Sequence, residues 1–295
     1  MTDAHTRQNA ERLAPVVVVG ALGMLGRAWC EYLTKHRVDH LGLDLPDLNI
    51  TDAASIKNTI PSGTRTIVNC AAFTDVDAAE THEADAMKLN ADAVRNLAEH
   101  AREIGATLIH YSTDYVFDGQ ATSPYPTDHP RDPINAYGRT KAQGEQALEA
   151  SGCRYLLIRT SWLYAPWANN FVLTMLRLTR DRDTLKVVND QRGRPTSAQH
   201  LAEASFKLLE VGCTGTFHVT DGGECSWHEF ACEIARLAGH VCDIHPRTSD
   251  EFPRPAKRPA YSVLDLSQTE QAIGPMPDWR HNLAHVLRQL EPQSV

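Results

Sequence analysis

The stretch "VVVVGALGMLGRAW", residues 16–29, constrains the fold more than any other part of this 295-residue chain. Four consecutive valines put an apolar side chain on both faces of a strand, a pattern carried by strands buried on both sides. Gly20, Gly23 and Gly26 follow at once, and a helical pattern begins beside them. Glycine permits the tight turn and lets backbone N–H groups approach a pyrophosphate at the positive end of the helix. The spacing is G-x-x-G-x-x-G rather than G-x-G-x-x-G, and such glycines also serve a purely structural turn. Asp44 closes the next apolar run. An acid there accepts hydrogen bonds from the adenosine ribose and repels a 2′-phosphate, which favours NADH. Arg27 stands close by and would tolerate that phosphate, so NADPH stays open as the alternative.

The same rhythm continues. Apolar runs at 16–20, 40–45, 66–72, 107–113 and 154–161 alternate with helical patterns at 24–36, 83–105 and 137–151. Unbroken apolar strands separated by helices predict a doubly wound, Rossmann-like α/β domain with a parallel sheet. After residue 160 the pattern changes. Helices are expected at 169–182, 196–212 and 226–239, the last opened by Ser226 and Glu229 at capping-box spacing. Strands are expected within 185–190 and 215–223, and a last helix near 280–290. The predicted organisation is a dinucleotide-binding domain over 15–160, completed by parts of 185–215. A smaller, discontinuous α/β substrate lobe covers 161–295, and residues 1–14 form a flexible extension.

Composition narrows the function. A formal charge of −8 argues against a protein built around nucleic acid, whose phosphates need a basic face. No apolar run approaches the roughly 20 residues of a membrane helix, and the polar start of mixed charge does not read as a signal peptide. The seven cysteines are odd in number and form no C-x-x-C pair, which suits a reducing cytoplasm. The 14 histidines show no H-E-x-x-H spacing.

Within "INAYGRTKAQGEQAL", residues 134–148, Tyr137 and Lys141 stand four apart on a helix, with Cβ atoms about 5–6 Å from each other. Phenol and ammonium can then reach one object. Alone, the pair equally fits a solvated helix face. An ammonium beside a phenol favours the phenolate, so Lys141 is expected to bring the Tyr137 pKa down from its reference value near 10.

Taken with the glycine loop, "VNCAAFTDVDAAE" (68–80), "HYSTDYVFDG" (110–119), "YGRTK" (137–141), "RTSWLYA" (159–165), "NDQRGRPTSAQHLA" (189–202) and "RPAYSVLD" (258–265) occur in order. In these the chain resembles the extended short-chain dehydrogenases and, among them, the dTDP-4-dehydrorhamnose reductase family, over about residues 15–290. The resemblance implies an NADH- or NADPH-dependent reductase acting on the C4 keto group of a dTDP-4-keto-6-deoxysugar. It makes Tyr137 the proton donor, Lys141 its support and a ribose ligand, and Thr113 a hydrogen bonder at the reacting oxygen. Gly23, Met24 and Leu25 would meet the cofactor phosphates, Asn49 and Ile50 the adenine, and Ala71, Ala72 and Phe73 the nicotinamide side. Asn49 departs from the family's aspartate. Thr113, Asp114 and Trp162 would contact the sugar nucleotide.

Each of these has a plainer use. Trp162 at a strand end is as well suited to core packing, and Thr113 and Asp114 to a local turn. Arg192 and Arg194 either clamp the diphosphate, for which a guanidinium fork is suited, or are surface charges. Some family members hold a divalent metal with acids at a subunit contact, and the same contact admits a homodimer. The position that aligns with one of those acids is Ala28, with Glu31 a turn later, so no metal is expected in the chemistry. Two other functions compete: a sugar-nucleotide epimerase or dehydratase, and a non-catalytic dinucleotide-binding regulatory subunit. A dehydratase needs an acid after the Thr-Asp pair, where this chain has Tyr115.

Overall fold

A computed structural model describes residues 13–290. In the first half, β1 (Val16–Val19), β2 (His40–Leu43), β3 (Thr66–Asn69), β4 (Thr107–Thr113) and β5 (Arg154–Thr160) alternate with helices α1 (Met24–Lys35), α2 (Ala53–Thr59), α3 (Glu83–Met87), α4 (Ala93–Ile104) and α5 (Ala136–Ala150). The second half holds α6 (Phe171–Asp181), β6 (Thr184–Val188), α7 (Ala198–Glu210), β7 (Gly215–His218), α8 (Trp227–Ala238), β8 (Asp243–Arg247), α9 (Ser267–Ile273) and α10 (Trp279–Leu290). Six strands form one parallel sheet in the order β2-β1-β3-β4-β5-β7. This is a doubly wound arrangement, with its topological switch between β1 and β3.

The four valines explain why β1 sits inside. Val16 and Val18 pack with Trp29, Leu33 and Phe206 on one face, while Val17 and Val19 pack with Ile56, Leu97 and Leu148 on the other. One polar chain crosses the first of these layers: Trp29 Nε1 donates to the Tyr111 hydroxyl, which donates to Ser205 Oγ. It ties α1, β4 and α7 together without leaving a buried donor unpaired.

Helix α7 and strand β7 complete the large sheet; α7 lies within the 185–215 stretch whose parts are expected to join it, and β7 runs past its end at 215. The apolar face of α7 covers Trp29, and β7 satisfies the outer edge of β5. Residues 185–188 go the other way, pairing with β8 in a separate two-stranded sheet. Helix α2, begun by an Asp52 side chain that accepts from Ala54 N, lacks an apolar period long enough to read. The proposed extension over 1–14 lies outside the described residues except for Leu13 and Ala14, which pack on the core. The smaller lobe closes around Tyr164, Phe230 and Trp279. All seven cysteines are free. Among the described residues no helix is long and apolar enough to cross a membrane.

Candidate active site

The loop after β1 is shaped by backbone contact. Gly20 has φ +75°, and a Cβ on it would lie 2.7 Å from Ala71 N. A Cβ on Gly26 would lie 2.0 Å from Gly20 O, so the third glycine brings α1 down onto the turn. No acidic side chain occupies the first turn of α1, which leaves its positive end open to an anion. Asp44 fastens the loop to the end of β2: Leu22 N donates to Oδ2 at 2.9 Å and Leu45 N to Oδ1 at 2.8 Å. A cavity of about 730 Å³ begins here and runs along the carboxyl ends of the strands. Gly20, Gly23, Met24, Leu25, Asp44, Asn49, Ile50, Ala71 and Ala72 all line it.

The other end of the same cavity is lined by Thr113, Asp114, Tyr137, Lys141 and Trp162. Strand β4 delivers Thr113 at its last position, and α5 delivers Tyr137 and Lys141 from its first turns. Helix α5 is aimed by its cap. Asn135 Oδ1 accepts from Gly138 N, and Asn135 Nδ2 donates to Lys257 O in a strap of chain from the second half. That strap is held by Asp77, which takes Arg254 and Arg258 together; the two guanidiniums hold its carboxyl far below the usual range against the opposing effect of burial. Gly144 lets α5 approach a π turn at Lys88–Asp92, since a Cβ there would meet Asn90 O at 2.0 Å.

Electrostatics at this end differ from the expectation. Lys141 is 2% exposed, and its Nζ donates to the Tyr111 carbonyl at 2.6 Å. Burial pulls its pKa down to about 8, opposed by Glu145. Tyr137 is not drawn toward phenolate. Burial raises its pKa, the neighbouring Asp114 raises it further, and only a hydrogen bond with Thr113 works the other way. Desolvation outweighs the lysine because the ammonium is aimed at a backbone carbonyl of β4. Asp114 is 2% exposed, and burial lifts its pKa to about 7 against hydrogen bonds from Ser262 and Thr113. Thr113 Oγ1 donates to Asp114 Oδ1 at 2.9 Å and accepts from Tyr115 N at 3.2 Å. Its hydroxyl hydrogen is therefore engaged within the protein.

Four predicted residues do not line the cavity. Gly26 acts in packing, as above. Phe73 packs beside Tyr137 against Ala79, Ala86 and Ala136. Arg192 is paired on the outside with Glu224 and Glu229, whose carboxylates draw it away. Arg194 has a buried, unpartnered Nε and is not brought to the wall. Among the lining residues that escaped the sequence reading, Trp227 stands out, stacked on Trp162 with ring centroids 3.6 Å apart. Its only signal was a tryptophan at the first position of a capped helix. A larger cleft of about 1420 Å³, lined by side chains of both charge signs, holds none of the predicted residues. Among the described residues no group of three His, Cys, Asp or Glu could hold a metal.

Comparison with known proteins decides the family. The model of the RmlD substrate binding domain matches residues 14–291. A dTDP-4-dehydrorhamnose reductase of Streptomyces griseus is 41% identical, covering 90% of each chain. This chain belongs to the dTDP-4-dehydrorhamnose reductase family. A second reductase so named, from Burkholderia thailandensis, is 37% identical over 94% of this chain and 99% of its own. Among solved structures, the dTDP-4-dehydrorhamnose reductase of Bacillus anthracis, in complex with NADP, superposes with TM-score 0.89 at 36% identity, covering 93% and 98% of the two chains. A Thermus thermophilus UDP-glucose 4-epimerase, at 18% identity and TM-score 0.80, shares the fold.

Proposed function

We propose that this family member reduces the C4 keto group of a nucleotide-activated 4-keto-6-deoxysugar, dTDP-4-dehydro-L-rhamnose to dTDP-L-rhamnose, with a nicotinamide dinucleotide. The observation that carries this reading is one cavity lined at one end by the glycine loop and at the other by Thr113, a protonated Tyr137 and Lys141. The loop fits a dinucleotide, because Gly23, Met24 and Leu25 line the cavity at the N-terminus of α1, where no acidic side chain would repel a pyrophosphate. The cofactor, when bound, supplies the hydride. Gly23, Met24 and Leu25 hold its phosphates and Asn49 and Ile50 its adenine. Ala71 and Ala72 face the nicotinamide, and Phe73 supports Tyr137 from behind.

In the reducing direction negative charge develops on the C4 oxygen, and the residue needed beside it is a neutral acid. A buried Tyr137 is such an acid, and its proton passes to that oxygen. Lys141, still charged below about pH 8, then stabilises the phenolate left behind and binds the ribose. Asp114 governs Thr113. With Asp114 protonated, its O–H donates to Thr113 Oγ1, and the Thr113 hydrogen becomes available to the reacting oxygen. Trp162 walls the sugar nucleotide. Arg192 and Arg194 stand outside this reading as drawn.

Cofactor choice follows from Asp44 and Arg27. Asp44 presents a carboxylate where a 2′-phosphate would lie. Arg27 is committed elsewhere, paired with Glu31 at 2.8 Å and lying over Trp167 at 4.3 Å. These support NADH, although the Bacillus anthracis relative was solved with NADP. The domain reading becomes a dinucleotide-binding part over 15–160 with 198–218, and a substrate lobe from the remainder.

The test is loss of NADH absorbance on adding dTDP-4-dehydro-L-rhamnose, with the product identified by NMR. No loss at any pH would sink the reading in favour of a binding subunit. Release of water from a 4-keto-free dTDP-glucose substrate would favour a dehydratase. Against the latter, Tyr115 packs edge-on to Tyr137 with centroids 6.1 Å apart, where a dehydratase needs its acid.

A further inference from the structure

Trp162 carries two oddities. Its backbone has φ +48°, a region that bulky residues rarely enter and that persists only where surroundings enforce it. Its indole is also covered on both faces. Trp227 stacks on one face at 3.6 Å with an interplanar angle of 11°, and Phe171 in turn leans on Trp227 at 4.6 Å. On the other face lies Gly193. A Cβ on Gly193 would sit 2.6 Å from Trp162 Cε2 and 2.8 Å from each of Cζ2 and Nε1. Because Cε2 is bonded to both of the other two atoms, a point in the ring plane outside Cε2 would be nearer to them than to Cε2. The reverse order holds, so the Cβ would stand over the ring. The stacked Trp227 leaves no such space on its own side. Gly193 is itself pinned by pairing with Cys225, one residue before the Ser226 cap of the helix that begins with Trp227.

We infer that Gly193 and Trp227 are positioning residues that clamp the Trp162 indole and turn its edge, not its face, to the sugar nucleotide. The inference rests on the reading of Trp162 as part of the substrate site. An aromatic edge is the positive part of the ring quadrupole and the face the negative part. An edge-on tryptophan therefore meets sugar or phosphate oxygens, whereas a face would stack on sugar C–H groups. Gly193 is required at this place because any side chain there enters the ring's volume, and the backbone behind Trp162 has no freedom to retreat.

The experiment compares Gly193→Ala, Trp227→Ala, Trp227→Phe and Trp162→Ala by steady-state kinetics with dTDP-4-dehydro-L-rhamnose, by NADH binding, and by circular dichroism of the coupled indoles. In Gly193→Ala and Trp227→Ala the sugar-nucleotide KM should rise about tenfold, equivalent to about 1.4 kcal/mol. Their NADH Kd should stay within about twofold of the parent, since the change removes substrate binding alone. Trp227→Phe, which keeps an aromatic face, should recover most of the loss. The exciton signal of the paired indoles should vanish in both tryptophan-to-alanine variants and change shape in Gly193→Ala. If Trp162→Ala raises KM while Gly193→Ala and Trp227→Ala only lower the melting temperature, the clamp is overturned and the role of Trp162 stands. If Trp162→Ala also leaves KM unchanged, the substrate reading of Trp162 falls, and the clamp with it.

Discussion

At the glycine-loop end the cavity is shaped by main-chain contacts: Gly20 against Ala71, and the amides of Leu22 and Leu45 on Asp44. At the tryptophan end the wall is side chain, with Trp162 and Trp227 brought from separate stretches and Gly193, from a third, set against the Trp162 ring. The first kind of wall needs only a strand, a turn and a helix in succession. The second kind needs the whole lobe to be folded before its parts meet. Contacts made by backbone tolerate few sequences, whereas contacts made by distant side chains are set by packing and differ between chains with one fold.

Tyr137→Phe gives the largest expected effect and tests whether the two ends act separately. It nearly preserves volume, so both walls should survive, with NADH and sugar-nucleotide affinities little changed. Turnover should fall about 10²–10⁴-fold, the usual loss for a positioned proton donor. More than about a tenth of parent turnover, with chemistry rate-limiting, would remove Tyr137 from that role.

Next comes Asp114→Asn, at the tryptophan end. The folded pKa of Asp114 is raised from 3.8 to about 7, so the folded chain binds the proton more tightly than the unfolded one. Its stabilising contribution is fully present below about pH 4 and is lost as pH rises to about 7. The parent should therefore lose a few kcal/mol from this group across that window, at about 1.36 kcal/mol per pKa unit. Denaturant unfolding of the variant between those pH values should show that slope flattened. An unchanged slope would mean that Asp114 is not the group responsible.

Asp44→Ala belongs to the glycine-loop end and should disturb both structure and binding there. Hydrogen bonds to charged groups contribute about 1.5–3 kcal/mol each. The variant should melt lower, bind NADH more weakly and discriminate less against NADPH, with the sugar-nucleotide KM little altered. A preserved cofactor ratio would confine Asp44 to fastening the loop.

The smallest effect is expected where the two regions touch. Trp167 Nε1 donates to Met24 O at 3.1 Å while its ring lies under Arg27. Trp167→Ala should weaken NADH binding several-fold, because a cation–π contact contributes about 0.5–1 kcal/mol at an exposed site and a neutral hydrogen bond about 1 kcal/mol. Trp167→Phe should retain part of the first and none of the second. If neither variant changes NADH dissociation measured by stopped flow, this contact makes no contribution to cofactor binding.

Much of this was legible in local sequence. The four valines announced a doubly buried strand, and the spacing of Tyr137 and Lys141 placed both on one helix face. Ser226 and Glu229 announced a capping box, which forms with both of its hydrogen bonds. Local pattern did not extend to electrostatics. Four-residue spacing says that two groups are near, yet the Lys141 ammonium turns to the Tyr111 carbonyl, a partner 30 positions away. Burial, which depends on every element packed above a group, then decides the direction of each pKa. Arg192 was equally beyond reach, because its pairing with Glu224 depends on a bridge between two loops.

By itself, the sequence determined the parallel α/β architecture, the turn that a dinucleotide fits, and which side chains α5 and β4 present at their ends. These follow from periodicity and from the steric demands of single residues, which are local. Tertiary structure alone decided that residues 184–188 pair with β8 instead of joining the large sheet, that Lys141 donates to the Tyr111 carbonyl, and that Trp162 lies between Gly193 and Trp227. Each depends on distances between segments far apart in the chain, and close packing fixes those distances only once all the segments are in place.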